Sequence, residues 1–517
     1  MWKLSKGSGN RTVPGFKDFT VRKGHVILGF AFCVICVIAG LSCSYRLSNS
    51  EPTEVRRLST GSLLPHLRIL TSQAYSDDEV PTTERASESM DSRTVVESLE
   101  DVKLGDENDG VPQGCDSNAE LKVYMYDLPP EFHYGMISAF EPKIGKIWPA
   151  NASQIPPYPG GLYQQHSPEY WLTSDLLTSN MQNREAPCTA FRVERWEDAD
   201  FVFVPFFASL SYNRYGKVTD QMLVEEGSNM KHSLYKDKNE ELQAKLVQYL
   251  EKHPAWKASN GKNHVMVIHH PNSMQAVRDR LRNALYVVSD FGRYENETAN
   301  IRKDVVAPYK HVLPTFTDDS SSFHTRSTVV YFQGSIVRKE GGKIRHELYD
   351  LLKDEPDVHF TTGITASEGF HSATRGMRSS RFCLNLAGDT PSSNRLFDSI
   401  ASHCVPVIIS DDLELPFEDD LNYSSFCIFI NSTRALQPGY VINLLRNVSS
   451  EEWTLMWERL LVVERHFEYQ FPSVANDAVN MVWKAIARKL PAIRLTINKE
   501  RRYMAKPSWR RSKLGAM

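Results

Sequence analysis

Apolar and polar positions divide the chain into three textures. Residues 25–45 read HVILGFAFCVICVIAGLSCSY and contain no Lys, Arg, Asp or Glu. About 20 apolar residues suffice for a helix to cross a hydrocarbon core of about 30 Å, so this run predicts one transmembrane signal anchor. The apolar part of a cleaved signal peptide would be shorter, at about 7–15 residues. Residues 46–118 are rich in Ser, Thr, Asp and Glu and keep no apolar period. Such a segment cannot bury enough surface to fold alone, and it reads as a flexible stem. A disordered regulatory tail would obey the same physics.

From Leu121 short apolar runs alternate with longer helical patterns. The spacing predicts strands at Lys122–Tyr126, Phe201–Phe207, His264–His269 and Leu285–Ser289. A second set is predicted at Thr328–Gln333, Phe382–Leu386 and Val405–Ser410. Several runs lack strict alternation, as buried parallel strands do. Strands separated by helices imply βαβ units. The polar segment Thr315–Ser327 separates the two sets. The expectation is an α/β protein with two Rossmann-like, doubly wound domains, 119–314 and 328–455, facing a cleft. Ligands then sit at the C-terminal strand ends. Helices follow over 456–495, within a helical pattern spanning Glu451–Lys489. A basic tail, 496–517, ends the chain.

Charge sets the orientation. Lys3, Lys6, Arg11, Lys17, Arg22 and Lys23 precede the apolar run against the single acid Asp18. The other flank mixes Arg46, Arg56 and Arg57 with Glu51 and Glu54. Positive-inside bias leaves residues 1–24 as a cytosolic tail and the bulk in a lumen. Sequons at Asn151, Asn296, Asn422, Asn431 and Asn447 fit a lumenal, N-glycosylated body. Asn10 also fits the pattern but falls on the cytosolic side. The net charge of -3 supplies no basic field for nucleic acid. Of eight cysteines, Cys33, Cys36 and Cys43 lie in the apolar run. Cys115, Cys188, Cys383, Cys404 and Cys427 form no CxxC pair, so no zinc site is expected. Their odd number leaves a thiol free or pairing between chains.

Three segments carry chemistry. After the strand at Tyr331, Gly334 opens GSIVRKEGGKIR. Glycine at a strand-to-helix turn lets backbone approach a phosphate, and Arg338, Lys343 and Arg345 add cationic donors for a diphosphate. The segment lacks the Walker spacing, since Val337 and Ile344 stand where Gly and Ser or Thr would be needed. A surface turn with solvated cations is the competing reading. Second, Arg381–Leu386 reads as a strand and Ala387-Gly388-Asp389 as a turn. Thr390 is a candidate N-cap and Pro391 a first helical residue. The helix predicted from Ser392 to Ile400 places Arg395 and Asp398 on one side. Arg395 suits a diphosphate and Asp398 suits ribose hydroxyls, although an ordinary surface ion pair is also common. Third, Val405–Ser410 leads into an acidic loop in which Asp411 and Glu418 could meet sugar hydroxyls or a cation.

These segments resemble the exostosin family, family 47 of the glycosyltransferases, and among its members the plant arabinosyltransferase-like proteins. The carriers are VYMYDLP (123–129), DADFVFVPFFASL (198–210), VSDFGR (288–293) and KDVVAPY (303–309). FQGSIVRKEGGKIR (332–345), SSRFCLNLAGDTPSSNRLFDSI (379–400) and CVPVIISDDLELPFED (404–419) complete the set. The resemblance spans about Leu121 to Leu490. It implies a GT-B fold and inverting transfer from a UDP-sugar, best matched to arabinose. Galactosyl, xylosyl and glucuronosyl transfer are alternatives. The implied acceptor is a cell-wall polysaccharide or other glycan, in the lumen of the Golgi apparatus. Arg338, Lys343, Arg345, Arg381, Arg395 and Asp398 are assigned by it to the donor side, and Gly334 and Ser392 are further donor-binding candidates. Association with itself or with related transferases stays open. No cofactor is implied, and a divalent metal is not required by the fold. Asp318-Asp319 and Asp411-Asp412 lack the DxD spacing of metal-dependent enzymes. Inversion needs a base for the acceptor hydroxyl. Asp127, His269, His270 and Asp290, all at predicted strand ends of the first domain, are the alternatives. A sulfotransferase would need a phosphosulfate loop that is not found. An inactive glycan-binding scaffold is the rival of another class.

Overall fold

The computed structural model describes residues 119–137, 146–180, 189–216, 229–338, 342–363 and 367–504. The predicted anchor, the stem, and Cys115 and Cys188 lie outside these residues. Among the described residues no helix is long and apolar enough to cross a membrane.

Two parallel sheets organise the chain. The first contains β1 (Leu121–Met125), β2 (Ala190–Val193), β3 (Phe201–Val204), β4 (His264–Val267), β5 (Leu285–Val288) and β6 (Val305–Val306), in the order β2-β1-β3-β4-β5-β6. The second contains β7 (Thr328–Gly334), β8 (Val358–Thr362), β9 (Ser380–Leu386), β10 (Val405–Ile409) and β11 (Ile428–Phe429), in the order β11-β10-β9-β7-β8. Every observed pairing is parallel. Both sheets therefore share one winding. The second strand lies outside the first, and the third lies on its other side. Strand order reverses between β1 and β3, and again between β7 and β9. In open α/β sheets that reversal opens a crevice beyond the C-terminal strand ends.

Helices cover both faces, which is why β3, β4, β5 and β10 are buried at every residue. The helices include α1 (Pro168–Leu177), α2 (Asn229–Lys252), α3 (Ile344–Leu352), α4 (Ser367–Arg378), α5 (Arg395–Ala401), α6 (Ser450–Val463) and α7 (Ala478–Met504). Ser449 and Glu452 close a reciprocal capping box at the start of α6. The helical pattern expected as one stretch over Glu451–Lys489 is broken between α6 and α7. The predicted tail begins inside α7, which continues to Met504.

α7 returns to the first sheet. Trp483 packs its ring on Phe203 at 5.8 Å and donates from Nε1 to Asp175 at 2.9 Å. Asn480 donates to Thr189 at 2.7 Å. One apolar core runs from β1, β3 and β5 through Leu396, Phe397 and Ile400 of α5 to α7. Cys383 in β9 is disulfide-bonded to Cys404, just ahead of β10, and Cys427 is a buried free thiol.

Candidate active site

The second sheet's reversal point supplies one wall of a cleft of about 370 Å³. β7 ends at Gly334, and Ser335 and Arg338 follow it. After β9 come Gly388, Asp389, Thr390 and Ser392–Arg395. Gly363, after β8, passes so close that a Cβ there would lie 3.1 Å from the Cα of Gly334. The absence of a side chain lets these two strand ends lie side by side.

Three guanidinium groups meet in this wall. Arg345, on α3, is buried, and three main-chain carbonyls accept from it: Ala387 at 2.9 Å, Leu386 at 3.0 Å and Ser335 at 3.1 Å. It thereby ties the turn after β9 to the turn after β7. Burial, then the positive charges of Arg338 and Arg395, push its pKa down to about 9. The group stays charged at pH 7, in a spot that favours an added anion. Arg395 donates to Gln333 O at 2.9 Å and to Asp398 at 2.5 Å. Arg338 reaches Asp389 at 3.2 Å, a half-exposed pair that contributes little to stability.

The helix after this turn starts later than its sequence suggests. Its first residue is Arg395, and Thr390 is no N-cap. Thr390 instead donates across the cleft to Asp290 at 2.8 Å. Ser392 also donates to Asp290 and pairs with the Tyr309 hydroxyl at 2.7 Å. The Gly292 N–H at 2.9 Å and the Ser289 hydroxyl at 3.4 Å also donate to Asp290. Asp290 is fully buried, so its carboxylate is a clamp between the domains. A Cβ on Gly292 would lie 2.3 Å from Cδ of Pro391, so only glycine permits this approach.

The facing wall belongs to the first sheet. It presents His166, His270, Asn272, Arg293 and Tyr309. The last four follow the ends of β4, β5 and β6, on the side of the sheet away from its own reversal point. Arg293 donates to Asp389 O at 3.3 Å. His166 ends the 3₁₀ turn Gly161–His166, which begins at a glycine with φ of 65°.

The sequence-derived residues separate on this frame. Gly334, Arg338, Arg345, Ser392 and Arg395 line the cleft, as does His270. Asp398 does not. Its carboxylate accepts from Val312 N, Leu313 N, Asn394 and Arg395, leaving no edge for a ribose hydroxyl. Arg381 is the second residue of β9, at the end remote from the cleft, where it lies 3.8 Å over the Phe323 ring. Lys343 is exposed ahead of α3 and outside the cleft lining. Asp127 is exposed and held by Trp148 at 2.6 Å and Arg192 at 3.0 Å. It follows the end of β1 by two residues, three strand positions from β5, or about 14 Å at normal strand spacing. His269 is fully buried and does not line the cleft. Asp411 lines a neighbouring cavity beyond the Asp389–Pro391 turn, and Glu418 lines a separate depression. The five sequon asparagines are all exposed. Among the described residues no group of three or more His, Cys, Asp or Glu is placed to hold a metal ion.

Comparison with known proteins decides the family. The model of the exostosin GT47 domain matches residues 117–448. The probable arabinosyltransferase ARAD1 of Arabidopsis thaliana is 39% identical over 383 residues, covering 74% of this chain and 81% of the relative. The chain belongs to the exostosin GT47 family of glycosyltransferases. The probable glucuronosyltransferase GUT1 of Oryza sativa subsp. japonica is 23% identical, over 73% of this chain and 83% of its own. Among solved structures, Anabaena HepE in complex with UDP and glucose covers 72% of this chain and 100% of its own. Its identity is 10% and its TM-score 0.31.

Sequence reasoning on this GT47 chain passed over His166, Arg293 and Tyr309 as individual residues. Arg293 and Tyr309 close the segments VSDFGR and KDVVAPY, and their position at strand ends was a usable signal. His166 precedes a helix rather than following a strand, so no rule based on strand ends points to it.

Proposed function

We propose that this GT47 chain transfers a sugar with inversion from a UDP-sugar to a hydroxyl of a cell-wall polysaccharide. The observation that carries the reading is the convergence of Arg338, Arg345 and Arg395 at the reversal point of the second sheet, across from a wall that presents His166, His270, Tyr309 and Arg293. In a single in-line displacement the bond from the anomeric carbon to the diphosphate oxygen breaks. The departing oxygens gain charge, and cations fixed beforehand stabilise that change. Arginine supplies bidentate donors for it, so a divalent metal is not required. Arabinose is the donor sugar we favour, on the strength of the 39% identity to a probable arabinosyltransferase. A Golgi lumenal setting is part of the proposal. The apolar run 25–45, the exposed sequon asparagines and the Cys383–Cys404 bond all suit a secretory, oxidising compartment.

The test incubates the purified full-length chain with a panel of UDP-sugars, with and without pectic or hemicellulosic oligosaccharides, and measures UDP release. The expected result is acceptor-dependent release from UDP-arabinose, unchanged by a chelator. Release from none of the donors with any acceptor would sink the proposal.

A further inference from the structure

The hydrogen-bond pattern around the histidines on the first-sheet wall identifies which of them can accept a proton. His269 Nε2 lies 3.1 Å from the carbonyl of Ala307. A carbonyl only accepts, so Nε2 carries a proton. Burial pushes the pKa of His269 down to about 4, so at neutral pH that is its only ring proton and its Nδ1 is an acceptor. Nδ1 of His166 lies 2.9 Å from it. The bond between these two nitrogens therefore takes its proton from His166. With Nδ1 protonated, neutral His166 carries its lone pair on Nε2, on a ring that lines the cleft. His270 has the opposite tautomer. Its Nδ1 accepts from the Asn272 N–H at 3.1 Å, so the neutral ring has no second lone pair for a substrate proton.

We propose that His166 is the general base of the transfer, and that His269 is a positioning residue that fixes its tautomer. The assignment rests on the transfer reading above. The acceptor hydroxyl gives its proton to His166 Nε2 as its oxygen bonds to the anomeric carbon. The bond from that carbon to the diphosphate breaks, and its electron pair leaves with the diphosphate towards Arg338 and Arg395. The His166 imidazolium keeps its Nδ1–H on His269, so no proton need move along the pair. A neutral imidazole anchored to a main-chain carbonyl thus orients the base, as a carboxylate does in a hydrolase triad. Among the described residues, the titratable rings against His166 are His269 and His270, beyond β4, at 5.1 Å and 4.6 Å, and Tyr309, beyond β6, at 4.9 Å.

The experiment measures acceptor-dependent UDP release and the UDP-induced shift in Tm on full-length His166→Gln, His166→Ala and His269→Gln. His166→Gln should lose on the order of 10²–10⁴-fold in kcat while keeping the wild-type Tm shift, which shows that it folds and binds the nucleotide. Imidazole should restore part of the rate to His166→Ala, with a pH profile following imidazole's own protonation. His269→Gln should lower kcat at unchanged donor KM and move the acid limb of the profile. If the wild type transfers and His166→Gln retains its kcat within about threefold, the base assignment is wrong and the transfer reading stands. If the wild type releases no UDP from any donor, the transfer reading fails and takes the assignment with it.

Discussion

The two sheets share one winding and present opposite chemistry to the cleft. The second sheet uses its reversal point, β7 beside β9, and lines it with glycine turns and guanidinium groups. The first sheet leaves its own reversal point, β1 beside β3, out of the cleft. It contributes the ends of β4, β5 and β6, with histidine, tyrosine, a buried aspartate and a single guanidinium, Arg293. Topology alone does not decide where a site forms. What decides it is which strand ends face the other domain, and Asp290 with Gly292 fixes that facing. Asp290 holds Thr390 and Ser392 from the first domain, so the clamp and the cationic turn are one structural unit.

Breaking the cationic side should have the largest effect. Arg395→Ala is expected to lower acceptor-dependent UDP release by on the order of 10²–10³-fold, the usual effect of losing a donor to developing charge, with Arg395→Lys in between. Gly292→Ala should come next. Its Cβ must displace Pro391 and hence the turn, and a misplacement of about 1 Å can cost on the order of 10²-fold in rate. Melting and kcat measured on the same sample would separate domain misalignment from unfolding. Asp290→Ala removes the acceptor from three hydroxyls and one N–H, and should lower stability by about 1–3 kcal/mol, read by denaturant unfolding.

The first sheet should also show itself through pH. Burial, the dominant cause for each, lowers the pKa of His133 to about 4, His264 to about 3 and His269 to about 4. Their ordinary value is 6.5, so below it the unfolded chain binds more protons than the folded one. The stability they contribute is complete above pH 6.5 and lost as pH falls towards 4. Tm measured across that range should drop, and less steeply in His264→Gln than in wild type. The smallest effect is expected at Arg381. Arg381→Ala lies at the far end of β9 and should leave kcat/KM within about twofold.

The central strands were legible in the sequence because both their faces are covered, which writes them as continuous apolar runs. The four strands that were missed, Ala190–Val193, Val305–Val306, Val358–Thr362 and Ile428–Phe429, are the four sheet edges. Two of these edges are only two residues long. β8 reads VHFTT and buries only its central Phe360, so no apolar run announces it. On the site, glycine and arginine near strand ends were visible as local chemistry. Whether Arg381 or Arg395 faces the cleft depends on which end of β9 is presented, and strand polarity answers that. Asp127 needed more, because its distance from the cleft follows from lateral strand order, which no local pattern encodes. Asp398 looked available until the Val312 and Leu313 N–H groups, more than 80 residues earlier, were found on it. His166 depended on a partner 103 residues away.

The most direct test of the donor site is the thermal shift produced by UDP on the full-length chain, compared across wild type, Arg395→Ala and Arg381→Ala. At UDP near 100 times its Kd, binding stabilises the folded chain by about 2.7 kcal/mol. The account predicts that shift in wild type and Arg381→Ala, and its loss in Arg395→Ala at the same UDP concentration. An equal shift in all three, or a loss confined to Arg381→Ala, would contradict a donor site at the reversal point of the second sheet.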